Sequence, residues 1–468
     1  MAEPAALVHG LAVTGASVVR ALRRHGYDVT VTDDRIDDGK RELARSLGVE
    51  LHAAPAGWTE LLDSVELVSP APGVPETHAL ITSANRMGRA VVSEIELAYR
   101  WEQQRPAALG GPRPMLAITG TDGKTTTTEL AAAILGAAGV RTAALGNTDV
   151  PLVDGVDATG EDALDAFVVE CTSFRLAWTR QFRADAAAWL NLAPDHLNWH
   201  ASMATYEAAK ARIWELQRPG DVAIGFVDDP VVMARLAVAP GRHVTFGRAR
   251  ADYRIERGWL IGPGGRIAEV ASMKRCLPHD VTNALAASAL VLETGLATAD
   301  AIAATLATFQ APPHRLEPIG EAQGVRWFND SKATTPHAAS AAIRAFDSLV
   351  LIAGGSRKGV DLSPMGAEPH RVRAVVAVGE AAPDIHGVFD PLTTVVDAGS
   401  MADAVDRAAE LARPGDAVVL SPGCASFDWY SGYPARGEDF RRLVEAYIAA
   451  VNRRTDTDQT IDMTSEAR

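Results

Sequence analysis

One strand, loop and helix constrain the fold of this chain more than any other segment. Residues 116–119 read Leu-Ala-Ile-Thr and predict a buried strand, residues 120–125 read Gly-Thr-Asp-Gly-Lys-Thr, and residues 126–138 predict a helix. This is the arrangement of a P-loop, in which backbone N–H groups and a helix N-terminus bind phosphates and a lysine reaches the terminal ones. The full pattern has another glycine where Ile118 stands, so the segment is a variant. A tight turn with an incidental Lys-Thr pair is the alternative.

A carboxylate follows a second apolar strand. Residues 166–170 read Ala-Phe-Val-Val-Glu, which places Glu170 at the carboxyl end of that strand. Open α/β sheets bind ligands at this edge, and Mg²⁺ needs oxygen ligands beyond one P-loop hydroxyl. Glu170 is therefore a candidate metal ligand, although an acidic residue that merely begins a loop is an equal alternative.

Two histidines and a lysine lie downstream. His196 and His200 follow the apolar run 188–192 at helical spacing, but a zinc motif of the H-E-x-x-H type would need Glu where Leu197 stands. From the residues alone, a structural role for His196 is favoured over a ligand role. Lys210 lies in a stretch of helical period, where a lysine is usually an exposed surface residue.

The whole chain alternates short β-branched runs with longer Ala- and Leu-rich stretches, a pattern typical of parallel α/β sheets. Its length of 468 residues suffices for about three domains. Proline-bearing connectors at residues 104–115 and 311–318 divide it into three pieces. We predict domains over residues 1–105, 106–312 and 313–455, followed by a flexible tail at residues 456–468.

A loop in the first piece suits a nucleotide. Residues 10–15 read Gly-Leu-Ala-Val-Thr-Gly after an apolar strand, and Asp33 and Asp34 end the next strand. This is similar to a dinucleotide-binding fingerprint with its distal acid. Ala12 stands where the fingerprint has its middle glycine and would crowd a pyrophosphate. Some other nucleotide is therefore favoured over a nicotinamide cofactor.

Three loops of the third piece also suit anions. They lie at residues 329–336, 354–359 and 421–428 and are rich in Gly, Ser, Thr and Lys. Each follows an apolar strand, which places it at the binding edge of the predicted sheet. Thr335 and Pro336 also form a good helix N-cap and first helical position, and this structural interpretation needs no ligand.

Charge and composition disfavour several classes of protein. The 45 basic and 59 acidic residues give a formal net charge of −14, which repels nucleic acid and anionic lipid surfaces. The three cysteines are widely separated and offer neither a disulfide framework nor a zinc knuckle. The chain shows no basic and apolar leader and no apolar run long enough to cross a membrane. We expect a cytoplasmic protein, monomeric, with small-molecule substrates.

Longer strings spread over nearly the whole chain identify a family. They include residues 119–126 (Thr-Gly-Thr-Asp-Gly-Lys-Thr-Thr), 170–174 (Glu-Cys-Thr-Ser-Phe), 191–197 (Asn-Leu-Ala-Pro-Asp-His-Leu), 329–334 (Asn-Asp-Ser-Lys-Ala-Thr) and 420–428 (Leu-Ser-Pro-Gly-Cys-Ala-Ser-Phe-Asp). Together they resemble the ATP-dependent Mur ligases of bacterial cell-wall synthesis. The P-loop and a His314-Arg315 pair are similar to those of several Mur ligases and folylpolyglutamate synthetases. The last two strings resemble those of the D-glutamate-adding enzymes in particular.

The resemblance implies an α/β fold of three domains. These are a Rossmann-like N-terminal domain for a UDP-linked substrate, a central P-loop ATPase domain with a mainly parallel sheet, and a Rossmann-like C-terminal domain for the amino acid. The implied reaction adds D-glutamate to UDP-N-acetylmuramoyl-L-alanine through an acyl phosphate, with release of ADP and phosphate. Such a ligase serves peptidoglycan synthesis, and with it cell shape and cell division.

The resemblance also implies roles for single residues. Implied catalytic residues are Lys124, Glu170, His196 and Lys210. One Mg²⁺ is implied at Thr125 and Glu170, and a second at His196 and a carbamylated Lys210. Implied ATP-binding positions are Gly120, Thr121, Asp122, Gly123, Lys124, Thr125, Thr126, Asn283, Arg315 and Asp330. Positions implied around UDP and its sugar are Val13, Thr14, Asp33, Asp34, Arg35, Gly73 and Asn147. Those implied for D-glutamate are Lys332, Thr334, Lys358, Ser426, Phe427 and Tyr433.

The chain departs from the family pattern at three places. Asp122 replaces an asparagine usual in the P-loop, Ser356-Arg357 stands where an acidic residue commonly precedes the lysine, and Ala71-Pro72 interrupts an expected Ser-Pro-Gly. These departures concern contacts to the ligands. The alternatives are a sister Mur ligase or a folylpolyglutamate synthetase-like ligase, a nicotinamide-dependent oxidoreductase, and a P-loop binding protein without chemistry.

Overall fold

A computed structural model describes residues 4–465 except Asn198, Ala311 and residues 358–360, with side chains described to residue 453. The chain divides into two compact units, Met1–Gln310 and Ala311–Arg468. The domain boundaries at 105/106 and 312/313 stay predictions. In the described residues, no helix combines the length and apolar character that a membrane crossing requires.

The first unit begins with a five-stranded parallel sheet of order β3-β2-β1-β4-β5. Its strands are β1 (Ala5–His9), β2 (Asp28–Asp33), β3 (Leu51–Ala53), β4 (Leu67–Pro70) and β5 (Ala90–Val91). The accompanying helices are α1 (Val13–Arg24), α2 (Asp38–Leu47), α3 (Thr59–Asp63), α4 (Ala79–Arg86) and α5 (Glu94–Glu102). Because all the strands are parallel, their carboxyl ends meet at one edge.

A six-stranded parallel sheet of order β11-β10-β9-β6-β8-β7 follows in the same unit. Its strands are β6 (Met115–Thr119), β7 (Ala144–Gly146), β8 (Phe167–Glu170), β9 (Ala186–Trp189), β10 (Val222–Phe226) and β11 (Arg242–Phe246). Its helices are α6 (Lys124–Ala137), α7 (Leu152–Asp157), α8 (Ser173–Leu176), α9 (Met203–Glu215) and α10 (Pro230–Leu236). The central strand β6 therefore lies between β8 and β9, which carry candidate residues at their ends.

A small antiparallel sheet and two helices complete the unit. The sheet has the order β12-β13-β14 and consists of β12 (Arg254–Glu256), β13 (Trp259–Gly262) and β14 (Gly265–Glu269). The helices are α11 (Pro278–Glu293) and α12 (Ala299–Leu306). Short 3-10 helices of this unit lie at Ala107–Leu109, Gly160–Asp162 and Val270–Ser272, and those of the second unit lie at Ser363–Gly366 and Pro369–Arg371.

The two large sheets of the first unit share a hydrophobic core. Alternate side chains of a strand point to opposite faces, and in β6 Leu116 and Ile118 pack on one face with α6 and α11. Met115 and Ala117 pack on the other face, in a cluster that also contains Val8 of the first sheet. Burial of both faces explains why these strands read as continuous apolar runs.

The second unit contains a six-stranded sheet of order β15-β16-β20-β17-β18-β19, parallel except for the β15–β16 pair. Its strands are β15 (Glu317–Ala322), β16 (Val325–Asn329), β17 (Leu349–Gly354), β18 (Val372–Val378), β19 (Thr394–Ala398) and β20 (Ala417–Gly423). Its helices are α13 (Pro336–Arg344), α14 (Ala382–Phe389), α15 (Met401–Leu411) and α16 (Tyr433–Ser465). Helix α13 begins as the sequence predicts, with the Thr335 side chain accepting from the Ala338 N–H and Pro336 in its first turn.

The predicted α/β fold class is confirmed. Helix α16 includes most of residues 456–468, and the flexibility of that segment stays a prediction.

Candidate active site

The predicted P-loop connects β6 to α6. Gly123 precedes the first residue of α6 with a φ of 82°, in the left-handed region that glycine adopts without strain. A Cβ at this position would lie 2.7 Å from Oδ1 of Asn283 on α11. The Lys124 ammonium donates to the carbonyls of Gly120 and Thr121, at 2.9 and 2.7 Å. The loop thus forms a cradle at a helix N-terminus with its lysine folded over it.

Asn191, in the loop after β9, fixes this cradle. Its Oδ1 accepts from the backbone N–H groups of Thr121 and Asp122, both at 2.9 Å, and its Nδ2 donates to the Asp122 carbonyl at 3.2 Å. The Thr121 hydroxyl lies 3.1 Å from the Tyr206 hydroxyl on α9 and accepts from the Ala193 N–H. The P-loop backbone is therefore held in its conformation by contacts from the loop after β9 and from α9.

Glu170 lies at the end of β8, paired in register with Ile118 of β6. Its side chain is 1% exposed. Oε1 accepts from Asn147 Nδ2 at 3.0 Å, whereas Oε2 is buried and has no hydrogen-bond partner among the described residues. A buried carboxylate oxygen without a partner is costly, and a hard cation such as Mg²⁺ is a ligand that would satisfy it. Glu170 fits a metal site.

His196 lies in the loop after β9 with a φ of 56°. Its Nε2 is 3.2 Å from Asp195 Oδ2, and Phe174 packs against its ring with centroids 4.6 Å apart. Burial lowers the pKa of His196 to about 4; Asp195 opposes this shift, and the positive charge of Lys124 adds to it. The imidazole is therefore neutral near pH 7, the state in which a histidine binds a metal.

The structure does not join His196 and His200 in a zinc pair. His200 Nε2 lies 2.9 Å from the Ser173 hydroxyl, and its Nδ1 lies 3.5 Å from Glu76. The side chain of Phe174 contacts both imidazole rings. The two histidines thus have separate partners, in agreement with the weak motif.

Lys210 is buried, and the surface position favoured from the residues alone is wrong. Its side chain on α9 is 1% exposed, its Nζ donates to the Gly120 carbonyl at 2.5 Å, and it lies over the Tyr206 ring. Burial and the nearby Lys124 ammonium lower its pKa well below the usual value. The charges of Asp195, Asp122 and Glu170 act in the opposite direction. Lys210 therefore belongs to the same electrostatic cluster as the P-loop.

The candidate UDP residues lie at the carboxyl edge of the first sheet, except Asn147, which follows β7 of the second sheet and donates to Glu170. Thr14 is in the first turn of α1, and Val13 beside it is 68% exposed. The Asp33 carboxylate accepts from the N–H groups of Leu11 and Arg35 and from Lys40 Nζ. Burial alone would raise the pKa of Asp33, but these hydrogen bonds outweigh it and the pKa is lowered. Asp33 thus holds the loop before α1 in place.

Asp34 has different neighbours from Asp33. Its Oδ2 lies 3.5 Å from Nε2 of His9 and 3.3 Å from Nε2 of His78. His78 Nδ1 accepts from the Leu80 N–H, so a neutral His78 carries its proton on Nε2, the nitrogen nearer to Asp34. That tautomer leaves no free lone pair on His78 for a metal. The arrangement is a cluster of one carboxylate and two imidazole rings at the edge of the candidate uridine site.

The Ala71-Pro72 departure contributes contacts within the first unit. The Pro72 carbonyl accepts from Trp199 Nε1 at 3.0 Å, and Glu76 accepts from the Ala201 N–H at 2.5 Å. The loop at residues 71–76, which includes Gly73, is therefore attached to the loop that carries His196.

In the second unit, Asp330 follows β16 and is buried. Its Oδ1 accepts from the Leu316 N–H and its Oδ2 from the Ser421 hydroxyl, at 3.1 and 2.7 Å. The bond from Leu316 places Asp330 beside the segment 314–316, which contains Arg315. Asn283, another implied ATP-binding residue, belongs to the first unit. The implied ATP-binding positions are therefore divided between the two units.

The candidate D-glutamate residues gather where β16 and β20 end. Lys332 Nζ lies 5.3 Å from the centre of the Tyr433 ring. Ser426 is buried, whereas Phe427 is 72% exposed. Thr334 follows Lys332 in the loop before α13, and Lys358 lies outside the described residues. The Ser356 N–H donates to the Ala425 carbonyl, which joins the loop after β17 to the loop after β20.

Arg436 stabilises these loops through hydrogen bonds. Its buried guanidinium donates to Ser331 and to the carbonyls of Cys424 and Ala425. Burial lowers its pKa to about 10. Arg357, at the second departure, instead forms an exposed pair with Asp384 at 2.6 Å.

Sequence reasoning assigned no role to Asn191, Tyr206, Arg175 or Arg436. Asn191 stood in a recognised string at the end of a strand, a signal that could have identified it. Arg175 and Arg436 carried no such signal, because their partners are distant in the sequence.

Parallel α/β sheets, a P-loop and a buried carboxylate beside it define a nucleotide-using α/β protein. The sequence matches three family descriptions: "Mur ligase MurD-like, N-terminal domain" over residues 4–93, "Mur ligase middle domain" over residues 118–291, and "Mur ligase, glutamate ligase domain" over residues 314–424.

Curated relatives cover nearly the whole chain. Proteins named UDP-N-acetylmuramoylalanine–D-glutamate ligase from Frankia casuarinae, Thermobifida fusca and Myxococcus xanthus are 42, 38 and 39% identical. The matches cover 94% of this chain in each case and 93, 97 and 98% of the relatives. The chain therefore belongs to the Mur ligase family, and within it to the UDP-N-acetylmuramoylalanine–D-glutamate ligases.

Solved structures agree on the fold. A pseudomurein peptide ligase type C from Methanothermus fervidus matches with a TM-score of 0.58 at 18% identity, over 95% of this chain and 100% of that one. UDP-N-acetylmuramate-alanine ligase MurC from Thermotoga maritima gives 0.56 at 18% identity, over 96 and 100%. MurF ligase from Thermotoga maritima in complex with ADP gives 0.56 at 16% identity, over 83 and 91%.

Proposed function

We propose that this chain joins D-glutamate to UDP-N-acetylmuramoyl-L-alanine in peptidoglycan precursor synthesis, with conversion of ATP to ADP and phosphate. The observation that carries the proposal is the match of at least 36% identity to ligases of this name along about 94% of the chain. The P-loop geometry supports it. The monomeric state and cytoplasmic location stay predictions.

Amide formation from a carboxylate and an amine is unfavourable in water, so the carboxylate must be activated. In the proposed first step, the L-alanyl carboxylate attacks the γ-phosphorus of ATP, its bond to ADP breaks, and an acyl phosphate forms. In the second step, the D-glutamate amine attacks the acyl carbon, loses a proton and displaces phosphate. Two anions meet in the first step, and positioned positive charge offsets their repulsion.

The P-loop provides part of that charge. Lys124 now donates to two loop carbonyls, and a bound phosphate would offer it oxygen acceptors of opposite charge. The N-terminus of α6 presents backbone N–H groups to the same place. Asn191 keeps the loop backbone in shape, so little rearrangement is needed when phosphate binds.

The donor set suits Mg²⁺. The partnerless Oε2 of Glu170 and the hydroxyl of Thr125 would hold one ion, and neutral His196 with a carbamylated Lys210 would hold another. When bound, the ions would neutralise charge on the transferring phosphoryl group. The protein's own residues keep the acceptor oxygens buried and oriented.

Burial prepares Lys210 for carbamylation. A lysine whose pKa is lowered well below its usual value has a neutral amine whose lone pair can attack CO₂. A C–N bond then forms and a proton is released, which leaves a carbamate anion. Beside the Lys124 ammonium, an anion is favoured over a second cation.

The two ends of the reaction would have separate binding loops. Thr14, Asp34, Arg35 and their neighbours would contact the UDP moiety at the first sheet. Lys332, Thr334, Ser426 and Tyr433 would contact D-glutamate in the second unit, where the Lys332 ammonium suits a carboxylate.

Mass spectrometry of the product tests the proposal. Purified protein with Mg²⁺, ATP, UDP-N-acetylmuramoyl-L-alanine and D-glutamate should yield the D-glutamyl amide and one phosphate per amide. A panel of other amino acids serves as the control and should release little phosphate. Lys124→Ala should abolish turnover. Absence of ADP, or ADP without a new amide, would refute the proposal.

A further inference from the structure

A buried arginine connects the surroundings of Glu170, the proposed metal ligand, with the first sheet. Arg175, in α8, follows Glu170 by one short loop, and its side chain is 4% exposed. Its Nη1 donates to Asn147 Oδ1 at 2.6 Å, and its Nη2 donates to Thr14 Oγ1 at 3.2 Å. Its Nε lies 3.4 Å from Oε2 of Glu94, which is 2% exposed.

The chain of contacts continues to Glu170. Asn147 accepts from Arg175 through Oδ1 and donates to Glu170 Oε1 through Nδ2 at 3.0 Å. This orientation of the Asn147 amide is fixed, because the reversed amide would face the guanidinium with its own N–H groups. Arg175 thereby fixes which end of the Asn147 amide faces Glu170, whose Oε2 has no hydrogen-bond partner in the described part of the chain.

Stability alone gives a poor account of this arginine. A buried ion pair is often no more stabilising than apolar side chains of the same size. Burial raises the pKa of Glu94, against the effect of Arg175. Burial therefore also disfavours the charged form of Glu94, the partner of Arg175 in the ion pair. A planar guanidinium with directed N–H groups does, however, fix three neighbours at once.

We propose that Arg175 is a positioning residue for the UDP-linked substrate. It holds Thr14, at the N-terminus of α1, at a fixed separation from Asn147 and Glu170. The substrate's nucleotide end and its acceptor carboxylate must reach these two places together. This inference rests on the proposed function, because it assumes that the substrate spans from α1 to the metal carboxylate.

Arg175→Lys tests the proposal, since lysine keeps the charge beside Glu94 but cannot reach Thr14 and Asn147 together. We expect the Kd of UDP-N-acetylmuramoyl-L-alanine, measured by calorimetry without ATP, to rise about tenfold. The KM for this substrate should rise and kcat should fall. The Kd of ADP in EDTA should stay within about twofold, because the P-loop is untouched.

Arg113→Lys is the matched control. Arg113 is a mostly buried arginine of the same unit that pairs with Glu102 and bonds the carbonyls of Val156 and Leu164. The Arg113→Lys substitution should lower the melting temperature as Arg175→Lys does, but it should leave the Kd of the UDP-linked substrate unchanged.

A double-mutant cycle isolates the contact. Thr14→Val removes the hydroxyl that accepts from Arg175, so its effect and that of Arg175→Lys on the substrate Kd should be less than additive. Full additivity, unchanged substrate binding in Arg175→Lys, or equal weakening in Arg113→Lys would overturn the proposal. Wild-type protein that neither binds the UDP-linked substrate nor forms product would instead refute the proposed function, and this inference with it.

Discussion

Replacing Lys210 by methionine should stabilise the first unit at neutral pH. The Lys210 amine is buried near the Lys124 ammonium and, among the described residues, makes one hydrogen bond, to the Gly120 carbonyl. Methionine has a similar length and keeps the aliphatic contacts. The Gly120 carbonyl still accepts from Lys124 at 2.9 Å, so the substitution leaves no buried acceptor without a partner.

The expected gain follows from two opposing contributions. Loss of the Lys210 hydrogen bond costs about 1 kcal/mol. In the wild type, folding at neutral pH also costs free energy because the Lys210 amine gives up its proton, and replacement of buried ion pairs by apolar side chains of similar volume has stabilised other proteins by about 1–4 kcal/mol. The net increase in the free energy of unfolding should be about 1.5 kcal/mol, which in a unit of 310 residues raises Tm by about 2 °C.

The gain should depend on pH in a defined direction. The pKa of Lys210 is lowered in the folded protein, whereas the unfolded chain has the ordinary value of 10.5. Between these values the unfolded state binds more protons, so the wild-type free energy of unfolding rises with pH. The advantage of Lys210→Met should therefore be largest near neutral pH and disappear above 10.5.

Thermal unfolding from pH 7 to 10 in CO₂-depleted buffer measures the effect, because carbamylation would add a second equilibrium. Lys274→Met, at an exposed lysine of the same unit, is the control and should show no such pH dependence. Lys210→Met should also lose ligase activity. A fall in its Tm of several degrees at pH 7, or a gain that grows with pH, would refute the reasoning.

Three further substitutions have distinct expected outcomes. Asn191→Ala removes three hydrogen bonds from the P-loop and should weaken ADP about tenfold in calorimetry; unchanged affinity would contradict the assigned role. Glu96→Gln should lower the free energy of unfolding of the first unit by about 3 kcal/mol in urea, because its buried carboxylate accepts from the N–H groups of residues 180–182. A change below 0.5 kcal/mol would be too small for that clamp. Arg436→Met should raise the KM for D-glutamate and leave ADP affinity unchanged, since its acceptors lie in the loops before α13 and after β20; an equal loss of both would indicate general destabilisation.

Local patterns predict the P-loop and the parallel sheets well. An apolar strand, a glycine turn and a helix are written in consecutive residues, so β6 and α6 appear nearly where expected. The small antiparallel sheet was not predicted, because its strands are short and partly exposed. Strand β9 ends at Trp189, inside the apolar run 188–192, which places Asn191 in the loop where it binds the P-loop backbone.

Local sequence patterns do not predict contacts between residues that are distant in the sequence. Lys210 and the Gly120 carbonyl are 90 residues apart, and nothing in the helical period around Lys210 indicates that α9 packs on the P-loop. Only the family resemblance pointed to this lysine. Arg175 and Thr14 are 161 residues apart, and neither pattern nor resemblance suggested their contact.

The attachment of the Pro72 carbonyl to Trp199 has a consequence for protein engineering. The segment that orients His196 takes part of its support from residues of the first sheet, and the two sheets share one apolar interior. An excised central fragment should therefore make a poor stand-alone ATPase. In a chimera assembled from two relatives, the two loops that contact each other, residues 69–76 and 195–202, would have to come from the same parent.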